Sequence, residues 1–328
     1  METVSTRYGA FRVQGMVERH PDGGVRAVTP VAGTRIETRH GVFSPRHTAV
    51  DERKKTGASL EFHPDGSLRS IILEDRAVVS TPAGPVVAEQ IVLYPDGGVK
   101  RVFPLCGKTS AYWSEEDEAR LLDPFPARTP LGTITARYLS LRFDPAGRLR
   151  SLTLWPGESV ELETPVGRMA VRIGAAFYPD GALRSVEPAR PTRVPTPVGD
   201  ILAYDPDAVG VTGDVNSLGF DSDGRLVRAA AVRTALMVGG DGQAFREIVP
   251  DFRESLCGDG DREPVALLLV FGEGGVTIRC CPGSMSECFP LPVPGGKAGM
   301  DVRALIMPLS GLLPSMDRAA CHGAPGAF

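Results

Sequence analysis

Twelve short turn signals of two kinds, alternating strictly along the chain, constrain what this sequence can fold into more than any other feature. One kind is Pro-Asp-Gly after an aromatic ring: His20-Pro21-Asp22-Gly23, His63-Pro64-Asp65-Gly66, Tyr94-Pro95-Asp96-Gly97 and Tyr178-Pro179-Asp180-Gly181. Weaker copies read Asp144-Pro145-Ala146-Gly147 and Asp221-Ser222-Asp223-Gly224. The other kind is Thr-Pro-x-Gly, at Thr81, Thr129, Thr164 and Thr196, with degenerate forms Thr6-Arg7-Tyr8-Gly9 and Thr38-Arg39-His40-Gly41. A fixed period marks a repeat architecture. The shortest unit, from Thr164 to Thr196, is 32 residues, and insertions near 44–56, 103–123 and 203–217 lengthen others.

Pro pre-sets the first central position of a type I turn, Asp suits the second, and Gly takes the left-handed position, so Pro-Asp-Gly predicts a three-residue hairpin loop with a bulge. That register places Phe62 opposite Leu68 and Glu61 opposite Arg69. Three columns then align. Four residues before the turn Pro stand Val17, Leu60, Ile91, Leu141, Ala175 and Leu218; two before, Arg19, Phe62, Leu93, Phe143, Phe177 and Phe220; two after the Gly, Val25, Leu68, Val99, Leu149, Leu183 and Leu226. Apolar alternation with period two on both sides of a turn marks strands with one buried face. Arg19 alone breaks the columns, in the first and capping repeat. The predicted fold is all-β: an antiparallel β-meander or solenoid of about six to eight hairpin repeats, with one short helix near 114–123. Residues 1–235 form the repeat domain. Degenerate repeats over 236–289 continue the sheet, with Leu236 and Val238 before Gly240-Asp241-Gly242, and Leu268 and Val270 before Gly272-Glu273-Gly274. A Gly/Pro-rich tail follows over 290–328, loose from Cys321 to Phe328.

These Phe/Tyr-x-x-Gly hairpins with apolar alternation, over roughly residues 6 to 235, resemble the MORN-type repeat proteins and their bacterial antitoxin-like variants. Here Thr-Pro-x-Gly and Pro-Asp-Gly stand where that family carries Tyr-x-Gly, and the unit is longer. The resemblance implies an elongated sheet of stacked hairpins that acts as a scaffold or docking surface for proteins. It supplies no catalytic residues.

Composition narrows the function classes. The 328 residues are 42% hydrophobic and 23% charged, with a formal net charge of -4. Such a chain buries a sizeable core without disulfides and is too apolar for disorder. Its mild acidity argues against non-specific nucleic-acid binding. The first residues lack a basic-then-apolar secretory pattern, and no apolar run exceeds strand length, so a cytoplasmic protein without a membrane span is expected.

The candidate sites are columns and insertions. Three residues after the turn Gly stand Arg26, Arg69, Lys100, Arg150 and Arg184, a basic ladder for an acidic protein partner or, more plainly, a solvated face. The turn aspartates Asp22, Asp65, Asp96, Asp180 and Asp223 suit their turns before they suit a cation. In the first insertion His47, near Asp51 and Glu52, offers a His–acid pair for proton transfer. The second carries Gly107-Lys108-Thr109 without the upstream Gly of a phosphate loop, then Tyr112-Trp113, which either anchor a partner or staple a helix capped by Ser114 and Asp117 with Leu121 and Leu122 behind it. In the third, Asp205, Asp207 and Asp214 are candidate ligands for a hard cation such as calcium, though the spacing departs from a calcium loop. Cys257, Cys280, Cys281 and Cys288 lack the Cys-x2–4-Cys pairs of zinc sites, so reduced thiols are expected. No cofactor is predicted.

The first reading is a non-enzymatic interaction scaffold that binds a protein partner, with homo-oligomers possible through a sheet edge. The alternative is a metal-dependent ligand binder or enzyme with its site in the insertions. Spacing along a flat meander sets neighbouring insertions roughly 20 Å apart at ~4.8 Å per strand, which argues against their convergence.

Overall fold

The computed structural model of the chain describes residues 2–208, 213–240, 243–254, 262–273, 275–279, 287–289 and 301–307. Cys257, Cys280, Cys281, Cys321, residues 209–212 of the third insertion and most of the tail lie outside them. Among the described residues the fold is nearly all-β, with one short helix and a large antiparallel sheet. The chain divides into two compact units: Met1–Val160, Arg172–Leu183 and Gly210–Asp214 in the first, and Glu161–Val171, Arg184–Val209 and Val215–Phe328 in the second.

In the first unit the elements are β1 (Thr3–Thr6), β2 (Gly9–Arg19), β3 (Val25–Pro30), β4 (Ile36–Thr38), β5 (Gly41–Phe43), β6 (Leu60–Phe62), β7 (Leu68–Thr81), β8 (Gly84–Leu93), β9 (Val99–Phe103), α1 (Glu115–Ala119), β10 (Phe125–Thr129), β11 (Gly132–Ala136), β12 (Tyr138–Phe143) and β13 (Leu149–Leu154). β14 (Val160–Thr164) and the first half of β15 (Gly167–Phe177) bring the chain into the second unit. Antiparallel ladders join β1, β2, β3, β6, β7, β8, β9, β12, β13 and the end of β15 in that order. β4–β5 and β10–β11 are separate hairpins. Beyond the first repeat, where Val17 and Val25 are half-buried, the three sequence columns are the core of this sheet. Leu60, Phe62, Leu68, Ile91, Leu93, Val99, Leu141, Phe143, Leu149, Ala175 and Phe177 are buried, while Arg19 is exposed.

Both turns are explained by local hydrogen bonding. At all six Thr-x-x-Gly turns the Thr hydroxyl donates to the Gly carbonyl, at 2.6 to 3.0 Å. The glycines there have φ between +102° and +138°, a region that L side chains rarely adopt. At the Pro-Asp-Gly turns the aspartate accepts the N–H two residues on, as in Gly24 to Asp22 at 2.9 Å and Gly98 to Asp96 at 2.8 Å.

Successive hairpins are locked by the same residues. The imidazole Nε2 of His20 lies 3.1 Å from the carbonyl of Phe62, that of His63 3.2 Å from the carbonyl of Leu93, and the Tyr94 hydroxyl donates to the carbonyl of Phe143 at 2.9 Å. His and Tyr therefore alternate in one structural position. Five of the six Thr tips also touch the Pro-Asp-Gly-type turn of the following repeat. Tyr8 Oη accepts the Leu68 N–H at 2.9 Å, and His40 Nε2 lies 2.9 Å from the Gly97 carbonyl. Pro82 abuts Gly147, and Pro130 abuts Gly181. In the second unit Pro165 abuts Gly224 in the same way.

That second unit contains β16 (Leu183–Pro188), β17 (Thr192–Thr196), β18 (Gly199–Ala203), β19 (Leu218–Phe220), β20 (Leu226–Ala231), β21 (Thr234–Gly240), β22 (Gln243–Ile248), β23 (Asp251–Glu254), β24 (Arg262–Val265), β25 (Leu267–Gly272), β26 (Gly275–Arg279), β27 (Glu287–Phe289) and β28 (Asp301–Ile306). β16, β19, β20, β25, β26 and β27 pair in that order. β21 instead pairs with β22 and with β28, inside the Gly/Pro-rich segment, and β23 pairs with β24. In β25 the buried residues are Leu267, Leu269 and Phe271, whereas Val270 is exposed. The expected phase, with Leu268 and Val270 in the apolar columns, is corrected by one residue. Gly272 pairs with Gly275 across a two-residue turn, shorter than the Pro-Asp-Gly loop it was equated with, and a shift of one flips every side chain.

The staple makes a direct prediction. Tyr94→Phe keeps the ring and removes the bond to the Phe143 carbonyl, so it lowers stability by about 1 kcal/mol, measurable as a lower urea midpoint with an unchanged slope.

Candidate functional site

The basic column occupies one geometric position. Arg19↔Val25 is followed by Glu18↔Ala27, Phe62↔Leu68 by Glu61↔Ser70, Leu93↔Val99 by Val92↔Arg101, and Phe143↔Leu149 by Arg142↔Ser151. The ladder thus skips Arg26, Arg69, Lys100 and Arg150, each the extra residue of a β-bulge. The expected pairing of Glu61 with Arg69 is corrected: Ser70 stands opposite Glu61, because two residues on the returning strand face one on its partner. The charges still meet, as Arg26 pairs with Glu18 and Arg69 Nε lies 3.8 Å from Glu61. Lys100 Nζ lies 5.7 Å from the centre of the Tyr94 ring. Arg184 follows Leu183 at the corresponding sequence position in the second unit and is exposed.

The first two insertions converge, contrary to the spacing argument. Arg53 Nη2 lies 2.7 and 2.8 Å from the two carboxylate oxygens of Glu89 in β8, and its Nε lies 2.7 Å from Glu118 in α1. Glu89 also accepts the Cys106 N–H at 2.8 Å; Glu118, 5% exposed, accepts the Gly107 N–H at 3.0 Å and the Trp113 Nε1–H at 2.7 Å. Burial opposes the Arg53 charge, but the bonds to Glu118 and Glu89 outweigh it and raise the guanidinium pKa above its ordinary value. Counting strands measures where insertions are rooted and not how far they reach. Bridges Pro45↔Leu73 and Lys54↔Gly107 carry the first insertion from β7 to the second insertion.

The capping expectation for α1 holds. Ser114 Oγ accepts the Asp117 N–H at 3.1 Å, while Asp117 Oδ2 accepts the Ser114 N–H at 3.1 Å and the Ser114 O–H at 2.8 Å; the two bonds to the carboxylate lower the Asp117 pKa. Leu122 packs with Leu105 and Trp155. Tyr112 and Trp113 separate: Trp113 donates to Glu118, while Tyr112 is 78% exposed.

His47 is positioned by Glu74 of β7, and not by Asp51 or Glu52. Glu74 Oε2 accepts the N–H of His47 at 2.8 Å and of Thr48 at 3.1 Å, with His47 Nδ1 3.3 Å away. Burial alone raises the Glu74 pKa; the His47 and Thr48 N–H bonds outweigh it, and the net shift is downward. In the second unit the buried Glu187 accepts the Asp205 N–H at 3.1 Å and the Ser217 N–H at 2.7 Å, gathering both ends of the third insertion.

The candidate cation ligands are individually engaged. Asp205 accepts the Asp207 N–H at 2.9 Å, Asp207 pairs with Arg253, and Asp214 lies 2.5 Å from Arg142. Among the described residues no three His, Cys, Asp or Glu side chains cluster as a metal site, and no helix is long and apolar enough to cross a membrane. Cys288 is a free, exposed thiol.

Glu74, Glu89 and Glu187 are the residues the sequence reading passed over. Their signal was an acid inside an apolar strand, as in Val86-Val87-Ala88-Glu89 and Ile71-Ile72-Leu73-Glu74. Comparison with known protein families, curated proteins and solved structures gives no match.

Two outcomes follow from this geometry. Arg53→Met strands two largely buried carboxylates and lowers stability by about 3 kcal/mol; Arg53→Met combined with Glu89→Gln recovers part of that loss in the same chemical unfolding assay. The Glu74 contribution has an acid limit. Its folded pKa is depressed, so the stabilisation is complete above the ordinary value of 4.5 and is lost as pH falls below it. Amide exchange at His47 and Thr48, protected at neutral pH, therefore approaches that of Glu74→Gln in acid.

Proposed function

We propose that this protein is a non-enzymatic β-hairpin repeat scaffold, akin in architecture to MORN-type proteins, that docks a protein partner in the cytoplasm. Tyr112 carries the reading. It is an exposed aromatic on a segment fixed from both sides, by the Ser110↔Trp113 bridge and by the Trp113–Glu118 bond next to the capped helix. A large aromatic held rigidly in solvent loses little conformational entropy on binding, and such residues dominate interface energetics. The bulged column of Arg26, Arg69, Lys100 and Arg150 adds basic side chains, two of them facing Glu18 and Glu61, that steer an acidic partner's approach more than they tighten it. Arg184 holds the corresponding sequence position in the second unit.

The meeting of the first two insertions, with His47 beside Glu74, favours the second reading, an enzyme or ligand binder built on the inserted loops. Against it, the charges where those insertions meet satisfy one another: Arg53 spans Glu89 and Glu118, as a structural clamp does.

The test is quantitative cross-linking of the full chain in lysate of its host, comparing wild type with Tyr112→Ala. A partner bound through Tyr112 loses at least tenfold in capture, the loss expected for a hot-spot residue of about 2 kcal/mol or more, while the melting temperature is unchanged. Equal capture by both proteins rejects Tyr112 as the anchor. Turnover that is lost with His47→Ala rejects the scaffold.

A further inference from the structure

We propose that Arg101, Arg142 and Ser151 bind an oxyanion of the phosphate class, held by two guanidiniums and a hydroxyl. The three stand in one row across β9, β12 and β13: Arg101 is opposite Arg142, and Arg142 is opposite Ser151. Strand neighbours alternate in direction, so this row lies on the face away from the buried Val102, Leu141 and Leu152.

Three observations favour an anion. Like charges directly opposite one another destabilise a ladder, yet two guanidiniums stand opposite here, and among the described residues the one carboxylate paired with either is Asp214, 2.5 Å from Arg142. Two buried polar atoms in the row have no hydrogen-bond partner, Arg101 Nη2 and Ser151 Oγ, and Ser151 is only 1% exposed. The neighbouring hydroxyls are engaged: Arg101 Nε donates to Ser140 Oγ at 3.2 Å, and Thr153 Oγ1 accepts the Gly213 N–H at 2.9 Å. A guanidinium carries donors only and a hydroxyl can donate, so the complement is an anionic acceptor with several oxygens.

The row is also held in place and meets solvent at one residue. The Phe103 ring centre lies 5.4 Å from the Arg101 guanidinium carbon, which restrains its plane. The Arg142 side chain is 41% exposed, so the row meets solvent at that residue, beside the buried Arg101 Nη2 and Ser151 Oγ. Burial lowers the Arg101 pKa; Asp214 opposes that and Arg142 adds to it, as in a site short of negative charge.

This site is independent of Tyr112, and its test is separate. Inorganic phosphate is titrated into the full chain at fixed ionic strength and followed by 31P line broadening and by the unfolding midpoint, with sodium chloride and sodium acetate in parallel. Saturable broadening and a rising midpoint are expected for phosphate alone. Arg101→Gln and Ser151→Ala each weaken binding by about tenfold, the loss of a charge-assisted or buried hydrogen bond. Asp214→Asn tightens it several-fold, because Arg142 no longer has a competing carboxylate. Arg101→Lys, which keeps the charge but not the fork, serves where Arg101→Gln fails to fold and also binds more weakly. No saturable binding, an equal effect of chloride or acetate, wild-type binding by the row variants, or weaker binding in Asp214→Asn each overturns the proposal.

Discussion

The structure depends on how each hairpin is closed and then held by the next. The Thr hydroxyl satisfies the Gly carbonyl across its own turn, and the tip so formed touches a Pro-Asp-Gly-type turn farther along the chain. A lone two-stranded hairpin is marginal in water. Here the ring before Pro21, Pro64 and Pro95 reaches a carbonyl of the next hairpin in the sheet, so the polar groups of these turns serve as joints between successive hairpins. That accounts for the mixture of His and Tyr at one position: the joint needs a ring with a polar edge, and either supplies it.

The second requirement is to tie the inserted loops to the strands while satisfying their backbone N–H groups. Carboxylates from the middle of strands do this. Glu74 collects two N–H groups of the first insertion, Glu89 one from the second together with Arg53, and Glu187 one from each end of the third. A buried acid is costly alone but acceptable when each oxygen receives donors. Several backbone donors per carboxylate meet that condition and fix the loops. Rigid insertions are what a docking surface requires, since an ordered loop loses less entropy when a partner binds.

The apolar columns and both turns could be read from the chain because period two and the turn residues are local properties. Phe62, Phe143 and Phe177 repeat in phase with a Pro or its equivalent, and nothing distant alters that phase. The helix cap at Ser114 and Asp117 is equally local. The losses came from features that local spacing does not encode. One extra residue in each returning strand moved Ser70 opposite Glu61. A two-residue turn at Gly272–Gly275 reversed the phase of β25. The meeting of Arg53 with Glu118 spans the strands between two insertions, and the strand count carried no information on how far an insertion reaches. Glu89 had a visible signal, an acid in a run of Val and Ala, whose meaning emerges only with its partners in place.

The bulges separate two basic populations that look alike in sequence. Lys100 and Arg101 are neighbours, but the ladder skips the first and pairs the second. Lys100 is left in solvent at the turn, while Arg101 takes a ladder place opposite Arg142. The same shift leaves Arg150 outside the ladder and sets Ser151 across from Arg142. A skipped cation that is exposed, as Arg26, Arg69 and Lys100 are, keeps its hydration and contributes to long-range attraction. A laddered, half-buried one loses hydration and must find specific acceptors. Weak steering by the first group and selective anion contact by the second are thus separate consequences of a single inserted residue per hairpin.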